Sequence, residues 1–289
     1  MVELLLDAGA LLGESPRWHA AEARLYWVDI DNFRIHRTNP ATREEEVMQL
    51  DGPVGCIAPR ARGGLIAGLQ QGCALIDEWG AAPRPFGAQV LADKPEQRFN
   101  DGCVDPAGRL WVGSLTTDKA NPKATLYRLD PDGSLHPMID GLTTSNGAAF
   151  SPDGRIFYHA DTPTHRLDAY DLDPDTGALG PRRTVHQFET GTGRPDGGTV
   201  DAEGCYWSAL WDGWRVVRLS PQGEILQTVE MPVQRPTMIA LGGADLRTAF
   251  VTSAGKNLTD AERERQPHAG GVFTFRVDVP GVAPPGFAG

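Results

Sequence analysis

Residues 106–115 read PAGRLWVGSL and residues 202–210 read AEGCYWSAL; in both, a Gly-containing turn signal runs into a short apolar, aromatic-rich stretch. That combination predicts a turn followed by a β-strand. Four further segments repeat it: EARLYWVDID (22–31), RGGLIAGL (62–69), PDGRIFYHAD (152–161) and GADLRTAFVTS (243–253). Anchored on Leu25, Leu65, Leu110, Ile156, Tyr206 and Thr248, the six segments are spaced by 40, 45, 46, 50 and 42 residues. Each unit continues into a second alternating strand and turn, as in RIHRTNPATRE (34–44), TLYRLDPDGSL (125–135), RLDAYDLDPDTGAL (166–179) and WRVVRLSPQGEI (214–225). Six such units predict an all-β, six-bladed β-propeller with a central channel. A two-sheet sandwich would not produce six equal units.

The composition agrees. Of 289 residues, 34 are Gly and 23 are Pro, which punctuate regular structure and argue against long helices. The one helical candidate is LTDAERERQ (258–266), whose Asp260 and Glu262 sit where a first turn favours acids. The apolar start VELLLDAG (2–9) is expected to pair with GGVFTFRVD (270–278), closing the ring so that 1–289 forms one domain. Lys and Arg number 27 against 38 Asp and Glu, a net charge of -11, which speaks against nucleic acid or an anionic membrane as partner. No apolar run approaches the roughly 18 residues needed to span a bilayer, and the acidic start lacks the charged region of a signal peptide. A soluble, cytoplasmic protein is expected. Cys56, Cys73, Cys103 and Cys205 are far apart without a CxxC pair, so reduced thiols are expected rather than disulfides or zinc ligands.

The repeat register also locates chemistry. In a propeller the innermost strands run along the channel, so the residues that begin them converge near the axis. Asn100, Asn146 and Asp196 each lie 10 residues before the anchor of their unit, and Glu14 lies 11 before Leu25. The corresponding place is Gly55 in the second unit and falls near Met238 in the sixth. Singly, Asn100-Asp101-Gly102, Asn146-Gly147 and Asp196-Gly197 are ordinary turn sequences. Their shared register, and a Glu in LLGESPRW (11–18) that is a poor turn former, point beyond turns. Carboxylates and amide oxygens that meet in a channel stay unsatisfied unless a cation joins them. An all-oxygen set suits one hard divalent ion, Ca²⁺ first, with Mg²⁺, Mn²⁺, Zn²⁺ or Fe²⁺ as alternatives.

The segments LGESPRW (12–18), RFNDGCVDPAGRLWVGS (98–114), SNGAAFSPDGRIFYHADT (145–162), RPDGGTVDAEGCYWSAL (194–210) and AGGVFTF (269–275) resemble, in order, those of the gluconolactonase, regucalcin and luciferin-regenerating enzyme family. The resemblance covers essentially the whole chain and implies a six-bladed propeller with one divalent metal in the channel, many members hydrolysing sugar lactones. It maps the metal-binding Glu, Asn and Asp onto Glu14, Asn146 and Asp196, and the substrate-contacting Arg and Asn onto Arg98 and Asn100. Where some members carry a substrate-holding Glu after the WVGS strand, this chain reads SLTTDKANPKATLYRL (114–129), with Asp118 in the vicinity.

A lactone is an internal ester, whose hydrolysis needs an activated water, a polarised carbonyl and a stabilised oxyanion. The metal would supply the last two and Asp196, as general base, the first. GxSxG and HExxH are absent, which removes a serine elbow and a zinc peptidase. His159 and Asp161 in FYHADT (157–162) are candidate assistants, and Trp211 and Trp214 in ALWDGW (209–214) are candidate residues of a channel mouth. The alternatives to a sugar-lactone hydrolase are a phosphotriesterase on the same scaffold and a non-catalytic, calcium-binding propeller.

Overall fold

In the computed structural model, which describes residues 1–118 and 120–289, six four-stranded antiparallel sheets form the blades of a β-propeller. Their inner strands are Gly13–His19, Val54–Pro59, Gln97–Val104, Ser145–Phe150, Arg194–Val200 and Pro236–Gly242, which define blades one to six. Each inner strand packs against those of the blades before and after it. The six sequence anchors lie at or next to the first residue of the second strands, Arg24–Asp29, Leu65–Leu69, Leu110–Thr116, Ile156–Asp161, Tyr206–Trp211 and Thr248–Ser253. Five blades are consecutive in sequence. The sixth borrows its outer strand, Glu3–Leu6, from the N-terminus, where it pairs antiparallel with Val272–Arg276.

The helix is Asp260–Arg265, started by a capping box in which Thr259 and Glu262 exchange side-chain and main-chain hydrogen bonds. Among the described residues no helix is long and apolar enough to cross a membrane. All four cysteines are free.

The turns that announced the repeats share one end of the molecule and are built on a recurrent buried carboxylate. Asp105 Oδ1 accepts the amides of Ala107 and Arg109, and its Oδ2 accepts Arg109 Nε at 2.6 Å and the Trp111 indole at 2.9 Å. In blade five, Asp201 Oδ1 takes the amides of Glu203 and Cys205, and Oδ2 takes Arg218 Nε at 2.7 Å and the Trp207 indole at 2.9 Å. Both aspartates and both indoles are fully enclosed. The carboxylate thus closes the turn and satisfies the one polar atom of the tryptophan packed between blades.

At this end the C-terminal tail crosses the channel. Gly281 bridges to Asp201 of blade five, Phe287 bridges to Arg60 of blade two, and Ala288 donates to Gly108 of blade three. Phe287 is fully buried, edge-on to Phe86. The opposite end carries the two longest connections between strands, 254–271 in blade six and 87–96 between blades two and three.

At that opposite end every inner strand is bulged. Register breaks fall between Glu14 and Arg17, Val54 and Cys56, Phe99 and Gly102, Asn146 and Ala149, Pro195 and Gly198, and Pro236 and Met238. A bulge kinks its strand and re-aims the side chains within it. Ser15 and Gly147 adopt left-handed backbone, φ 50° and 62°, to make two of these kinks. In blade two the bulge residue is Gly55, where an added Cβ would stand 2.3 Å from Phe99 O and 2.6 Å from Asn100 O. Blade two contributes no side chain because the backbone of blade three occupies that space.

Replacing Asp201 by Ala strands two amides, an indole N–H and the Arg218 guanidinium, and is expected to destabilise the fold by about 3 kcal/mol in a denaturant titration; an unchanged midpoint would contradict the assigned role. Gly55→Ala is expected to cost about 1–3 kcal/mol by overpacking. Gly52→Ala, where the new Cβ meets only the Gln70 amide at 3.9 Å, serves as the control and should stay within about 0.5 kcal/mol of the parent.

Candidate functional site

The bulges place Glu14, Asn100, Asn146 and Asp196 at the mouth that carries the longer loops, all buried at 7% exposure or less. The sixth position differs from the sequence reading. The residue in the bulge is Thr237, whose Oγ1 donates to Gly13 O at 2.5 Å and pairs with Thr252 Oγ1 at 2.9 Å. Met238, one residue on, packs where a side chain at Gly197 would be. Counting residues missed this because the ladder of blade six stays in register for five pairs from the turn, Gly242↔Thr248 to Met238↔Thr252, whereas those of blades three and five break after three.

The amides are held from both sides. Arg98 Nη1 donates to Asn100 Oδ1 at 2.9 Å, and Asn100 Nδ2 donates to Asn146 Oδ1 at 2.9 Å and to Ser145 O at 3.0 Å. Asn146 Nδ2 is drawn the other way, to Thr162 Oγ1 at 2.8 Å, which itself donates to Pro195 O. Asn146 is therefore fixed with its carbonyl oxygen toward Asn100, and that oxygen keeps a second lone pair.

Among the described residues, carboxylates outnumber guanidiniums at the ring. The Glu14 carboxyl is pushed well above the ordinary range, first by burial and then by the neighbouring carboxylates of Asp196 and Asp101, with the Ser15 amide and Arg98 opposing. Burial draws the Arg98 guanidinium below its usual value, against the pull of Asp31 and Glu14. Asp101 is raised by burial, although Arg17 lies 3.8 Å away and the amides of Gly102 and Ala148 donate to it. Three carboxylates thus face two guanidiniums. Among the described residues no group of three His, Cys, Asp or Glu side chains converges; the Glu14 and Asp196 carboxylates act on one another, and with the Asn146 amide oxygen they are donors of the chemical type that a divalent cation takes.

Arg17 and Asp101 had no repeat signal to reveal them, because each occurs in one blade only. Arg17 Nε donates to Ile57 O of blade two and its Nη2 to Gly102 O of blade three, so one side chain joins three blades. Tyr206 Oη of blade five donates to Gly147 O of blade four at 2.8 Å.

The suggested assistants lie elsewhere. His159 is buried with its Nε2 2.8 Å from Ser145 Oγ, and burial pulls its pKa down to about 3, which makes it a neutral buttress under Ser145 rather than an acid–base group. The Asp161 carboxylate accepts the amides of Thr143 and Thr144. Asp118 is exposed and takes the amides of Ala120 and Asn121 with the Asn121 side chain, which brings its pKa down to about 2; it closes its own loop. Trp211 does lie at the mouth, beneath the Arg235 guanidinium at 5.2 Å, and Trp214 is exposed beside it in the same hairpin loop.

Comparison with known proteins agrees along the whole chain. The family model described as SMP-30/Gluconolactonase/LRE-like region matches residues 12–255. A Pseudomonas putida protein named 6-deoxy-6-sulfogluconolactonase is 43% identical over 286 residues, covering 97% of this chain and 96% of its own. Human regucalcin is 36% identical, covering 100% of this chain and 98% of its own. Among solved structures, a calcium-binding protein, regucalcin, from Agrobacterium tumefaciens superposes with a TM-score of 0.94 at 27% identity, covering 98% and 96% of the two chains. A luciferin-regenerating enzyme does so with a TM-score of 0.90 at 31% identity, covering 100% and 98%. With blades, ring and sequence in agreement from end to end, the chain belongs to the SMP-30/Gluconolactonase/LRE-like family.

Proposed function

We propose that this protein is a lactonase that opens a sugar lactone to its aldonic acid at the ring of Glu14, Asn100, Asn146 and Asp196, with one divalent cation, Ca²⁺ foremost, held by Glu14, Asn146 and Asp196. The observation that carries the reading is the burial of Glu14 and Asp196 together, two carboxylates whose mutual repulsion a cation between them would relieve. The names of the full-length relatives, lactonase in one and calcium-binding regucalcin in another, support reaction and ion respectively.

When bound there, a divalent cation supplies a Lewis acid for the lactone carbonyl and the oxyanion that develops on it. Asp196 orients the attacking water and takes its proton as the new C–O bond forms. The same carboxyl then returns that proton to the ring oxygen as the lactone C–O bond breaks, which leaves an open hydroxy acid. Arg98 and Asn100 hold the sugar: their mutual hydrogen bond sets the remaining Arg98 N–H donors beside the acceptor oxygen of Asn100, so little ordering is left for substrate binding. Pro195 and Asn146, tied through Thr162, keep the base and the amide ligand at a constant separation.

Asp196→Asn is expected to lower kcat/KM for sugar lactones about a thousandfold while the fold is retained. Near-parental activity in that variant would sink the assigned role, and release of acid from phosphotriesters but not from lactones would replace the substrate class. Removal of divalent ions with a chelator should abolish turnover and lower Tm, both recovering on addition of Ca²⁺. The metal-stripped protein should also respond to pH in a defined direction. A carboxyl whose pKa is raised by folding favours the fold while protonated, and that contribution is lost as pH rises through the raised value. The Tm of the stripped protein should therefore fall as pH climbs above the ordinary carboxylate range, and Ca²⁺ should restore most at the upper end; a flat Tm profile would show that Glu14 is not under this strain.

A further inference from the structure

Arg98 stands two residues before the bulge residue Asn100, Arg194 two before Asp196, and Arg235 two before Thr237. Blades three, five and six thus carry a guanidinium at one common register, a tier outside the ring. Arg194 and Arg235 converge on a single carboxylate: Arg194 Nη2 donates to Asp212 Oδ2 at 2.6 Å, and Arg235 Nε donates to Asp212 Oδ1 at 2.8 Å. Asp212 also accepts from Gln234 Nε2 at 3.1 Å, and it adopts left-handed backbone, φ 59°, in the hairpin loop between Trp211 and Trp214. The Arg235 guanidinium lies over Trp211 and donates through Nη1 to Lys256 O. The Lys256 ammonium reaches Asp31 at 2.9 Å, the carboxylate that also acts on Arg98. Two other acids of this mouth, Asp29 and Asp161, are occupied by main-chain amides.

Arg194 and Arg235 share the Asp212 carboxylate, and Arg235 also acts on the exposed Glu262 carboxylate. A guanidinium carries five N–H donors. The contacts with Asp212 and Lys256 use few of them, and the Arg194 side chain is 36% exposed and that of Arg235 15%, so solvent or a ligand can reach part of the rest. In a chain of net charge -11, such a pair held rigid by Asp212 and by stacking on an indole is built for an anion.

We propose that Arg194 and Arg235, set by Asp212 and Trp211, form an anion subsite at the channel mouth, and that the preferred substrate is a lactone carrying a sulfonate or phosphate at the end remote from its carbonyl. The assignment deepens the lactonase reading and rests on it. The lactone carbonyl sits at the ring and the charged end projects outward to the arginine tier, bound bidentately by planar donors.

The test is calorimetric titration of the full-length, Ca²⁺-loaded protein with gluconate, 6-phosphogluconate and 6-deoxy-6-sulfogluconate, alongside kinetics on the corresponding lactones. At least one of the two substituted acids should bind about tenfold tighter than gluconate, the factor of one charge-assisted hydrogen bond. Which one does so separates phosphate from sulfonate. The advantage should shrink as NaCl is raised, and R194Q and R235Q should raise KM for the charged lactone about tenfold more than for the neutral one, with kcat less affected. Equal affinities for all three acids, or losses in the variants that are the same for charged and neutral lactones, would overturn the subsite. A binding preference without turnover of any lactone would instead uphold the subsite and overturn the lactonase reading.

Discussion

Six main-chain bulges at one register are the constraint on which the rest of this structure depends. A regular inner strand would send its side chains into the faces of neighbouring blades, as the rest of each strand does to make the core. The bulge turns one or two residues out of that pattern and into the channel. The break in each ladder frees polar groups, and these are taken up between blades. Ser15 Oγ receives the Ile57 amide, Asn100 donates to Ser145 O, Tyr206 donates to Gly147 O and Thr237 donates to Gly13 O. Each such bond is worth only about 1 kcal/mol net, but leaving its buried partner unsatisfied costs more. No blade can therefore relax its bulge without stranding a group in the next.

This arrangement makes the site a property of the ring as a whole. Glu14 comes from blade one, Arg98 and Asn100 from blade three, Asn146 from blade four and Asp196 from blade five, and blades two and six help to set their positions. Gly55 yields its space to the backbone of Asn100, and Met238 fills the space beside Gly197. Charge is concentrated where the geometry is most rigid: burial and like charge act together on Glu14, while Arg17 braces Asp101 from below. Stability at the opposite end comes from a different source, the enclosed Asp–Trp turns and the tail that crosses from blade five to blades two and three.

Much of this was legible in the sequence because it repeats. The anchors mark second strands, and the ring residues fall at a constant distance before them in blades three to five. The pairing of 2–9 with 270–278 and the helix near Asp260 follow from apolar pattern and from capping chemistry. Counting failed where spacing changed: the ladder of blade six runs further from its turn before it breaks, so the bulge residue is Thr237 and not Met238. It was silent where a residue has no counterpart, as with Arg17 and Asp101, and misleading for His159, which lies near the ring in sequence but is enclosed within its blade.

The amino-acid sequence by itself determined the number of blades, their boundaries and the donor atoms available to the ring, since periodic turns and alternating apolar residues act within a few residues of themselves. Only the tertiary structure decided which groups share a charge environment. Glu14 and Asp196 are 182 positions apart and act on one another because the blades close into a ring. Electrostatic coupling depends on distance and burial, and neither is written in local sequence. The tier formed by Arg98, Arg194 and Arg235 shows both sides at once. Its register can be counted along the chain, but the convergence of Arg194 and Arg235 on Asp212 exists only once the blades stand in a ring.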